Sequence, residues 1–167
     1  VSVLHFGNLS GEYFGVETVP DGVRVGVRQA DGAGRTFYMA RQPGERAQVL
    51  SMEARNYEPR SSTWYAAALN AKGRVFSPVF VSPQRKELVI TLSQPVYDAD
   101  GGAAGVFGTE LYLQRLADIL RTQRISARGA AFVVDENGNL VASSAGDALY
   151  EQVQDRFERR SPGASTN

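Results

Sequence analysis

The sequence of 167 residues contains no cysteine and a single histidine. The lack of cysteine excludes disulfides, thiolate nucleophiles and cysteine-ligated metal sites. A zinc motif built on two histidines is excluded as well, and a Ser-His-Asp triad would have to use His5. This histidine lies in residues 3–6, a run typical of a strand, and we expect it to be a strand residue without a chemical task.

Charge and hydropathy narrow the functional classes further. Lysine and arginine together number 18, as do aspartate and glutamate, so the formal net charge at pH 7 is zero. Such a chain lacks the positive surplus that attracts a nucleic acid or an anionic lipid surface, and we expect no nucleic-acid partner. No apolar run approaches the roughly 20 residues of a membrane-spanning helix, and no signal-peptide pattern opens the sequence. Membrane attachment is therefore expected only through segments outside these residues.

The first 41 residues alternate between strand-like runs and turn signals. The predicted strands are residues 4–6, 12–18, 23–29 and 35–41, separated by stretches rich in Gly, Asn, Asp and Pro. This pattern predicts an antiparallel meander. In residues 23–28 valine alternates with arginine or glycine, which predicts a strand with one buried face, and we expect the valines to face the core.

A helix and three further strands are predicted in the middle of the chain. Residues 42–55 mix proline, glycine and charge without a period and are predicted to form a loop. Ser61 or Ser62 can cap a helix that contains Trp64 and Tyr65, and Lys72-Gly73 can end it. The predicted strands that follow are residues 75–81, 87–97 and 103–112, the last two joined by a turn containing Asp and Gly.

The C-terminal part alternates between helix and hairpin patterns. Leucine and isoleucine recur at helical spacing in residues 113–124, which predicts an amphipathic helix. Residues 131–142 predict a hairpin, and Leu149, Val153 and Phe157 predict one more helix, stopped near Pro162. We expect residues 1–128 to form one module that ends in a connecting helix, residues 129–160 a partial second module, and residues 161–167 a disordered tail.

Three pieces of residues 56–113 carry a resemblance to a known family. They are Tyr57 followed by Pro59-Arg60 and Trp64-Tyr65, the run TLSQPVYD at residues 91–98, and the run GVFG at residues 105–108 before an acidic residue and a helix. In this order and spacing they resemble the membrane-distal module of double Cache sensor domains. The resemblance implies an α+β, PAS-like fold in which helices flank a central antiparallel sheet. It covers residues 1–128 and reaches the start of the proximal module in residues 129–144.

The resemblance also implies a function. Such domains are periplasmic parts of bacterial inner-membrane receptors, sense small polar metabolites, need no cofactor or metal, and act as homodimers in the full receptor. Ligand is expected to close a pocket between the Trp64 helix and the sheet and to shift the helix after Leu113, with a histidine kinase, a nucleotide cyclase or a chemoreceptor as output. The alternative is a structural, dimerisation or partner-docking module whose pocket is filled by Trp64, Phe80 and Phe107. Because no nucleophile and base form an obvious pair, we do not expect an enzyme.

The candidate site follows from the same comparison. In family members that bind α-amino acids, the ligand is held by a tyrosine, an Arg-x-Trp-Tyr cluster, a later tyrosine and an aspartate. The arginine position is Ser62 here, which forfeits a bidentate grip on a carboxylate and leaves amines, polyols, nucleobases and neutral metabolites open. Without the resemblance, Trp64 and Tyr65 would be interpreted as core residues, and Glu110 as a residue that caps the following helix. The candidate ligand-binding residues are Tyr38, Tyr57, Trp64, Tyr65, Phe80, Thr91, Ser93 and Glu110.

Overall fold

The computed structural model describes residues 3–53, 56–82, 85–123, 129–154 and 156–162. Contacts divide the chain into two compact units, Val1–Pro78 with Thr91–Leu111 and Val79–Ile90 with Tyr112–Asn167. The strands are β1 (Val3–Asn8), β2 (Tyr13–Val19), β3 (Gly22–Arg28), β4 (Thr36–Ala40), β5 (Gln48–Met52), β6 (Val75–Phe76), β7 (Phe80–Ser82), β8 (Glu87–Tyr97), β9 (Ala103–Tyr112), β10 (Phe132–Val134), β11 (Leu140–Ser143), β12 (Tyr150–Val153) and β13 (Arg156–Arg159). The helices are α1 (Thr63–Ala71) and α2 (Gln114–Thr122), with one 3₁₀ turn at Pro59–Ser61.

An antiparallel sheet organises the first unit. Its strands lie in the order β5-β4-β3-β2-β1-β9-β8-β6. The pairs from β5 through to β9, and the pair of β6 with β8, run antiparallel. Strands β1 to β4 are joined by the predicted turns, so the expected meander is confirmed. After α1 the chain returns to the sheet, and β9 pairs with β1.

One predicted loop and one predicted strand are wrong. Residues 42–55 contain β5. Its five residues are all exposed, so the sequence has no alternation of apolar and polar residues there to indicate a strand. Backbone pairing with β4 holds it in place, with an irregular register. The single strand predicted at residues 75–81 is two strands, because the chain leaves the ladder at Ser77 and Pro78. There the Ser77 hydroxyl accepts a hydrogen bond from the Thr91 N–H at 3.0 Å.

The strand register determines which side chains share a face of this sheet. Directly opposed residues of an antiparallel pair project to the same side. The residues opposed in one set are Val3, His5 and Gly7 of β1, Glu17, Gly15 and Tyr13 of β2, and Glu110, Gly108 and Val106 of β9. Since Val106 packs in one cluster with Trp64 and Tyr65, α1 covers this side, which we name the inner face. The other side, the outer face, carries Leu4, Phe6, Phe14 and Phe107.

Strand β3 departs from its expected orientation. Val25 is buried as expected, but it lies on the outer face, opposite Val16 and Tyr38. Arg28 points to the inner face and is only 6% exposed. Its guanidinium donates to the carbonyl of Gly11 and pairs with the carboxylate of Glu58 at 3.4 Å. The alternation of valine with arginine therefore separates two partly buried faces, and the arginines do not mark a solvated one.

Helix α1 begins after the 3₁₀ turn, with Ser62 as its N-cap residue. The cap position agrees with the prediction, although the Ser62 side chain makes no capping hydrogen bond. The helix buries Trp64, Tyr65 and Ala68. It ends at Lys72, which adopts a left-handed conformation with φ of 52°, so the residue in that conformation is the lysine and not the predicted glycine.

The second unit consists of β7 paired with the first residues of β8, two hairpins and α2. The hairpin β10–β11 confirms the predicted one, and α2 packs against β11 within the predicted range of residues 113–124. The helix predicted around Leu149, Val153 and Phe157 is wrong, since these residues belong to the hairpin β12–β13 and its flank. The apolar spacing of four suited a helix, but the chain turns at Gln154, where φ is 55°, and the Tyr150 ring meets the Phe157 ring edge-on at 5.5 Å.

The contact division falls at residue 111 and not at residue 128, so α2 belongs with the residues that follow it. The assignment of residues 129–160 to a partial second module stays a prediction. Residues 163–167 of the predicted disordered tail lie outside the described residues. No helix within the described ranges is long and apolar enough to cross a membrane.

Candidate ligand-binding site

Five side chains form a continuous group between α1 and the inner face, and we name this group the inner cluster. Its members are His5, Tyr13, Tyr57, Trp64 and Tyr65. The centroid distances between rings are 5.8 Å for His5 and Tyr13, 5.2 Å for Tyr13 and Tyr57, 4.4 Å for His5 and Trp64, and 5.4 Å for Trp64 and Tyr65. Three of these residues, Tyr57, Trp64 and Tyr65, were predicted as site residues. The structure brings them together.

Trp64 and Tyr65 are also core residues. Trp64 is 7% exposed and Tyr65 is 2% exposed, and both pack with Ala68 and Val106, while Leu69 and Val75 border the same group. Both side chains therefore pack α1 against the sheet, as expected for core aromatic residues. The Tyr65 hydroxyl, however, is buried and has no hydrogen-bond partner, which a purely apolar core would not require.

His5 occupies the centre of the inner cluster. It is 2% exposed, and neither ring nitrogen has a hydrogen-bond partner. Its ring covers Gly108, since a Cβ on that glycine would lie 2.2 Å from Nε2. Burial, with a smaller contribution from the positive charge of Arg35, lowers the pKa of His5 from 6.5 to about 3. The imidazole is therefore neutral at physiological pH and offers one donor and one acceptor.

Arg35 adds a buried cation to the edge of the inner cluster. Its guanidinium lies 3.7 Å from the centroid of the Tyr57 ring and 5.1 Å from that of Tyr13. Both carboxylate oxygens of Glu53 accept from it, at 2.9 Å from Nε and 2.7 Å from Nη2. Burial alone would lower the pKa of Arg35, but the hydrogen bond to Glu53 and the surrounding tyrosines raise it above its ordinary value. The cation is therefore permanent and neutralised by Glu53.

Tyr57 links the cluster to the start of α1. The side chains of Ser62 and Trp64 hydrogen-bond with its hydroxyl. Burial raises the pKa of Tyr57 above its ordinary value, against the lowering effect of Arg35, and the negative charge of Glu110 adds to the rise. Ser62, which occupies the expected arginine position, is thus hydrogen-bonded to the inner cluster. Glu110 lies on the inner face, close enough to act on the Tyr57 hydroxyl.

Two predicted hydroxyl residues lie on the neighbouring strand β8. Thr91 and Ser93 are 0% and 1% exposed, and the hydroxyl of each lacks a hydrogen-bond partner. Ser93 is directly opposite Val75, which packs against Trp64 and Tyr65, so both hydroxyl residues project to the side covered by α1. The structure therefore places Thr91 and Ser93 on the side of the sheet that carries the inner cluster, and their role in binding stays a prediction.

Three residues named from the sequence lie elsewhere. Tyr38 is on the outer face, opposite Val25, and lines an open groove of about 270 Å³ at the sheet edge, beside Arg35. Phe80 belongs to β7 in the second unit and pairs with Val89. Phe107 is 43% exposed on the outer face, with its ring tilted against that of Phe6 at 5.5 Å between centroids, so it does not fill the pocket as the structural alternative supposed.

Sequence reasoning missed His5, Tyr13 and Arg35. A signal was present, because His5 and Gly7, like Tyr13 and Gly15, alternate with apolar residues along their strands, which predicts one face that is not apolar. Which residues of that face meet the helix depends on strand register and could not be read locally. Within the described residues, no group of three or more His, Cys, Asp or Glu side chains could hold a metal ion.

Comparison with known proteins identifies the class. Residues 28–118, more than half of the chain, match the family model described as methyl-accepting chemotaxis protein-like, first PDC sensor domain. The chain belongs to this family of small-molecule sensor domains, which confirms the resemblance stated from the sequence.

Individual relatives are distant and longer. The chain is 29% identical over 107 residues to the methyl-accepting chemotaxis protein PctB of Pseudomonas aeruginosa, covering 64% of this chain and 17% of PctB. The ligand-binding domain of the Campylobacter jejuni chemoreceptor Tlp3, in complex with 4-methylisoleucine, has a TM-score of 0.54 at 17% identity over 85% of this chain and 43% of its own. The PctB ligand-binding domain with L-Arg has a TM-score of 0.52 at 23% identity over 83% of this chain and 42% of its own. These likenesses show a shared fold, and the chain spans less than half of each solved domain.

Proposed function

We propose that this chain binds a small polar metabolite at the inner cluster and serves as the periplasmic sensor of a transmembrane chemoreceptor. The observation that carries the proposal is the combination of aromatic rings with buried, unpartnered polar groups at the N-terminal end of α1. Aromatic faces supply apolar contact, and the polar groups fix orientation, which is the usual composition of a small-molecule site.

The relatives support the ligand size and the location. The solved domains carry 4-methylisoleucine and L-Arg, both amino acids, and the curated relative is a chemotaxis receptor. This chain has Ser62 where a carboxylate-binding arginine is expected, so its ligand differs in chemistry from an ordinary amino acid. Dimerisation in the full receptor, and attachment to the membrane through segments outside these residues, are parts of the same proposal.

Signal transmission is proposed to start at β9. This strand carries Gly108, covered by His5, and Glu110, near Tyr57, and the chain continues directly into α2. Ligand that repositions these side chains would act on β9 and so on the helix that follows. The ligand can shift this equilibrium only by its difference in affinity for the two states. Binding, and not catalysis, is the proposed activity, since the cluster contains aromatic and neutral groups without a paired nucleophile and base.

A thermal-shift screen tests the proposal. The purified chain is screened against amino acids, amines, organic acids, purines and sugars, each near millimolar concentration. A ligand at about a hundred times its Kd stabilises the folded state by about 2.7 kcal/mol, which a melt detects. We expect Tyr57→Phe, which removes only the hydroxyl bonded to Ser62 and Trp64, to weaken the ligand-induced rise in Tm.

Tyr38→Phe is the matched control, because it makes the same chemical change on the outer face. It should leave the ligand-induced rise unchanged. Loss in Tyr38→Phe with an unchanged response in Tyr57→Phe would place the ligand at the groove beside Arg35 instead of at the inner cluster. An unchanged response in Tyr57→Phe would contradict the proposed site while leaving a sensor function intact.

A structural or partner-docking module is the second candidate, and one observation favours it. Three inner-face glycines lie under side chains of the protein itself, since an added Cβ would meet His5 at Gly108, the Tyr13 hydroxyl at 2.4 Å at Gly15, and Phe37 at 2.9 Å at Gly26. The part of the inner face that a ligand would contact is thus already covered by the protein's own side chains. If no compound of the screen raises Tm and sedimentation shows a concentration-dependent dimer, this candidate is favoured.

A further inference from the structure

Among the described residues of the first unit, four polar side chains are buried without any hydrogen-bond partner: His5, Tyr65, Thr91 and Ser93. Each is at most 2% exposed. Buried polar groups in folded proteins are normally paired, and an orphaned one costs free energy comparable to a lost hydrogen bond. Four such groups in one region therefore require an explanation.

The four groups lie around the same packing centre. His5 and Tyr65 both contact the Trp64 ring, at 4.4 Å and 5.4 Å between centroids. Tyr65 also reaches the strand of His5, because a Cβ on Gly7 would lie 3.3 Å from its Cε2. Ser93 is opposite Val75, which borders Trp64 and Tyr65, and Thr91 shares its face of β8. The residues that carry these groups thus come from α1, β1 and β8 on the side of the sheet that α1 covers, and the Tyr65 hydroxyl also lies in the field of Arg60 and Glu58.

None of the four carries a charge at neutral pH. Three are hydroxyls, and the His5 imidazole is neutral because burial lowers its pKa. Each hydroxyl can both donate and accept, and a neutral imidazole has one donor and one acceptor. A charged ligand would lose its hydration here without gaining an opposite charge from these groups, and that loss is expensive.

The charged groups near the inner cluster act with opposite signs, and the positive one is already paired. Arg35 already holds both carboxylate oxygens of Glu53, and its positive charge contributes to the low pKa of His5, so a second cation is disfavoured there. Glu110 acts on Tyr13 and Tyr57 with the opposite sign and a smaller effect than Arg35, so the two charges partly offset each other at the inner cluster.

Resting on the proposed function, we propose that the ligand of this site is an uncharged polar molecule with both donors and acceptors, of the carboxamide, nucleobase or polyol type. It binds by hydrogen bonds to the side chains of His5, Tyr65, Thr91 and Ser93. The unpartnered groups are the recognition surface for this ligand, and the ligand-free fold carries their cost.

The first test needs no ligand. Thr91→Val replaces the unpartnered hydroxyl by a methyl group of the same shape, so we expect the ligand-free variant to melt at a higher temperature than the natural chain. Thr18→Val, at an exposed position of β2, is the matched control and should change Tm little. A lower Tm for Thr91→Val, relative to this control, would show that the hydroxyl is already satisfied in the fold and would overturn the inference.

The second test compares ligands that share a pyridine ring and carry a neutral, a negative or a positive substituent. The natural chain is melted with nicotinamide, nicotinate and 3-(aminomethyl)pyridine, and with adenine and myo-inositol as further uncharged probes. We expect a saturable rise in Tm with at least one uncharged probe, reduced at least tenfold in apparent affinity by Thr91→Val and by Ser93→Ala and retained in Thr18→Val.

The outcomes separate this inference from the proposed function. A rise with nicotinate or the aminomethyl compound, without any rise for nicotinamide, would overturn the uncharged class while leaving a Tyr57-dependent sensor in place. A rise with uncharged probes that survives both Thr91→Val and Ser93→Ala would overturn the assigned residues. If no uncharged probe raises Tm, the inference fails, and if a broad screen of charged metabolites is silent too, the proposed function fails with it.

Discussion

The neutral, buried state of His5 predicts an acid-sensitive fold. The pKa of His5 is about 3 in the folded chain, chiefly because of burial, and 6.5 is its ordinary value. Below about pH 6.5 the unfolded chain takes up a proton that the folded chain refuses until about pH 3, so stability falls as the pH falls through this window. From about pH 7.5 to about pH 5 the loss is about 2 kcal/mol, from RT ln(1 + 10^1.5) with those two values.

Glu58, Tyr13 and Tyr57 also have shifted pKa values, but they act outside this pH window. The pKa of Glu58 is lowered to about 2 by its hydrogen bond to Arg60, so its contribution is lost only as the pH falls below about 4.5. The pKa values of Tyr13 and Tyr57 are raised from 10.0, mainly by burial, and act only at alkaline pH. The measurement is urea unfolding of the natural chain and of His5→Gln at both pH values. The natural chain should lose about 2 kcal/mol more than the variant.

Nuclear magnetic resonance supplies an independent check. Because His5 is the only histidine, its Hε1 resonance is unambiguous in a chain without an affinity tag. We expect this resonance to stay constant from about pH 8 to about pH 4.5. A titration midpoint near 6, or equal pH dependence of the natural chain and His5→Gln, would refute the placement of His5 as a neutral, desolvated side chain.

Two further predictions concern packing and charge in the first unit. Gly108→Ala should destabilise the fold by about 1 to 3 kcal/mol in urea unfolding, because the new Cβ would lie 2.2 Å from Nε2 of His5. Gly73→Ala is the control, since the nearest atom to its new Cβ would be 3.7 Å away. Equal effects of the two substitutions would contradict the described contact. Glu53→Gln should cost about 3 kcal/mol, since it leaves the buried Arg35 guanidinium without its charged partner. Glu136→Gln at an exposed position should be neutral, and a similar cost there would refute the role of the pair.

Much of the fold was accessible from local sequence patterns. Strands β8 and β9 were predicted with their observed bounds because alternation and a turn containing Asp and Gly mark them. Strand β5 could not be found, since all its residues are exposed and only pairing with β4 makes it a strand. The helix predicted at residues 149–157 failed because apolar spacing of four also fits two strands that meet at Gln154.

The sequence by itself determined which residues make up most of the candidate site: a tyrosine, then a tryptophan and a second tyrosine at a helix start, with hydroxyl residues on a later strand. It could not determine that His5 and Arg35 join them, because those residues are tens of positions away and reach the site only through strand register. The alternation in β3 showed that its two faces differ, but only the pairing with β2 and β4 decided that Arg28 turns inward and Val25 outward. Side-chain period is a local property of a strand, whereas the face that meets a helix is decided by the packing of the whole sheet.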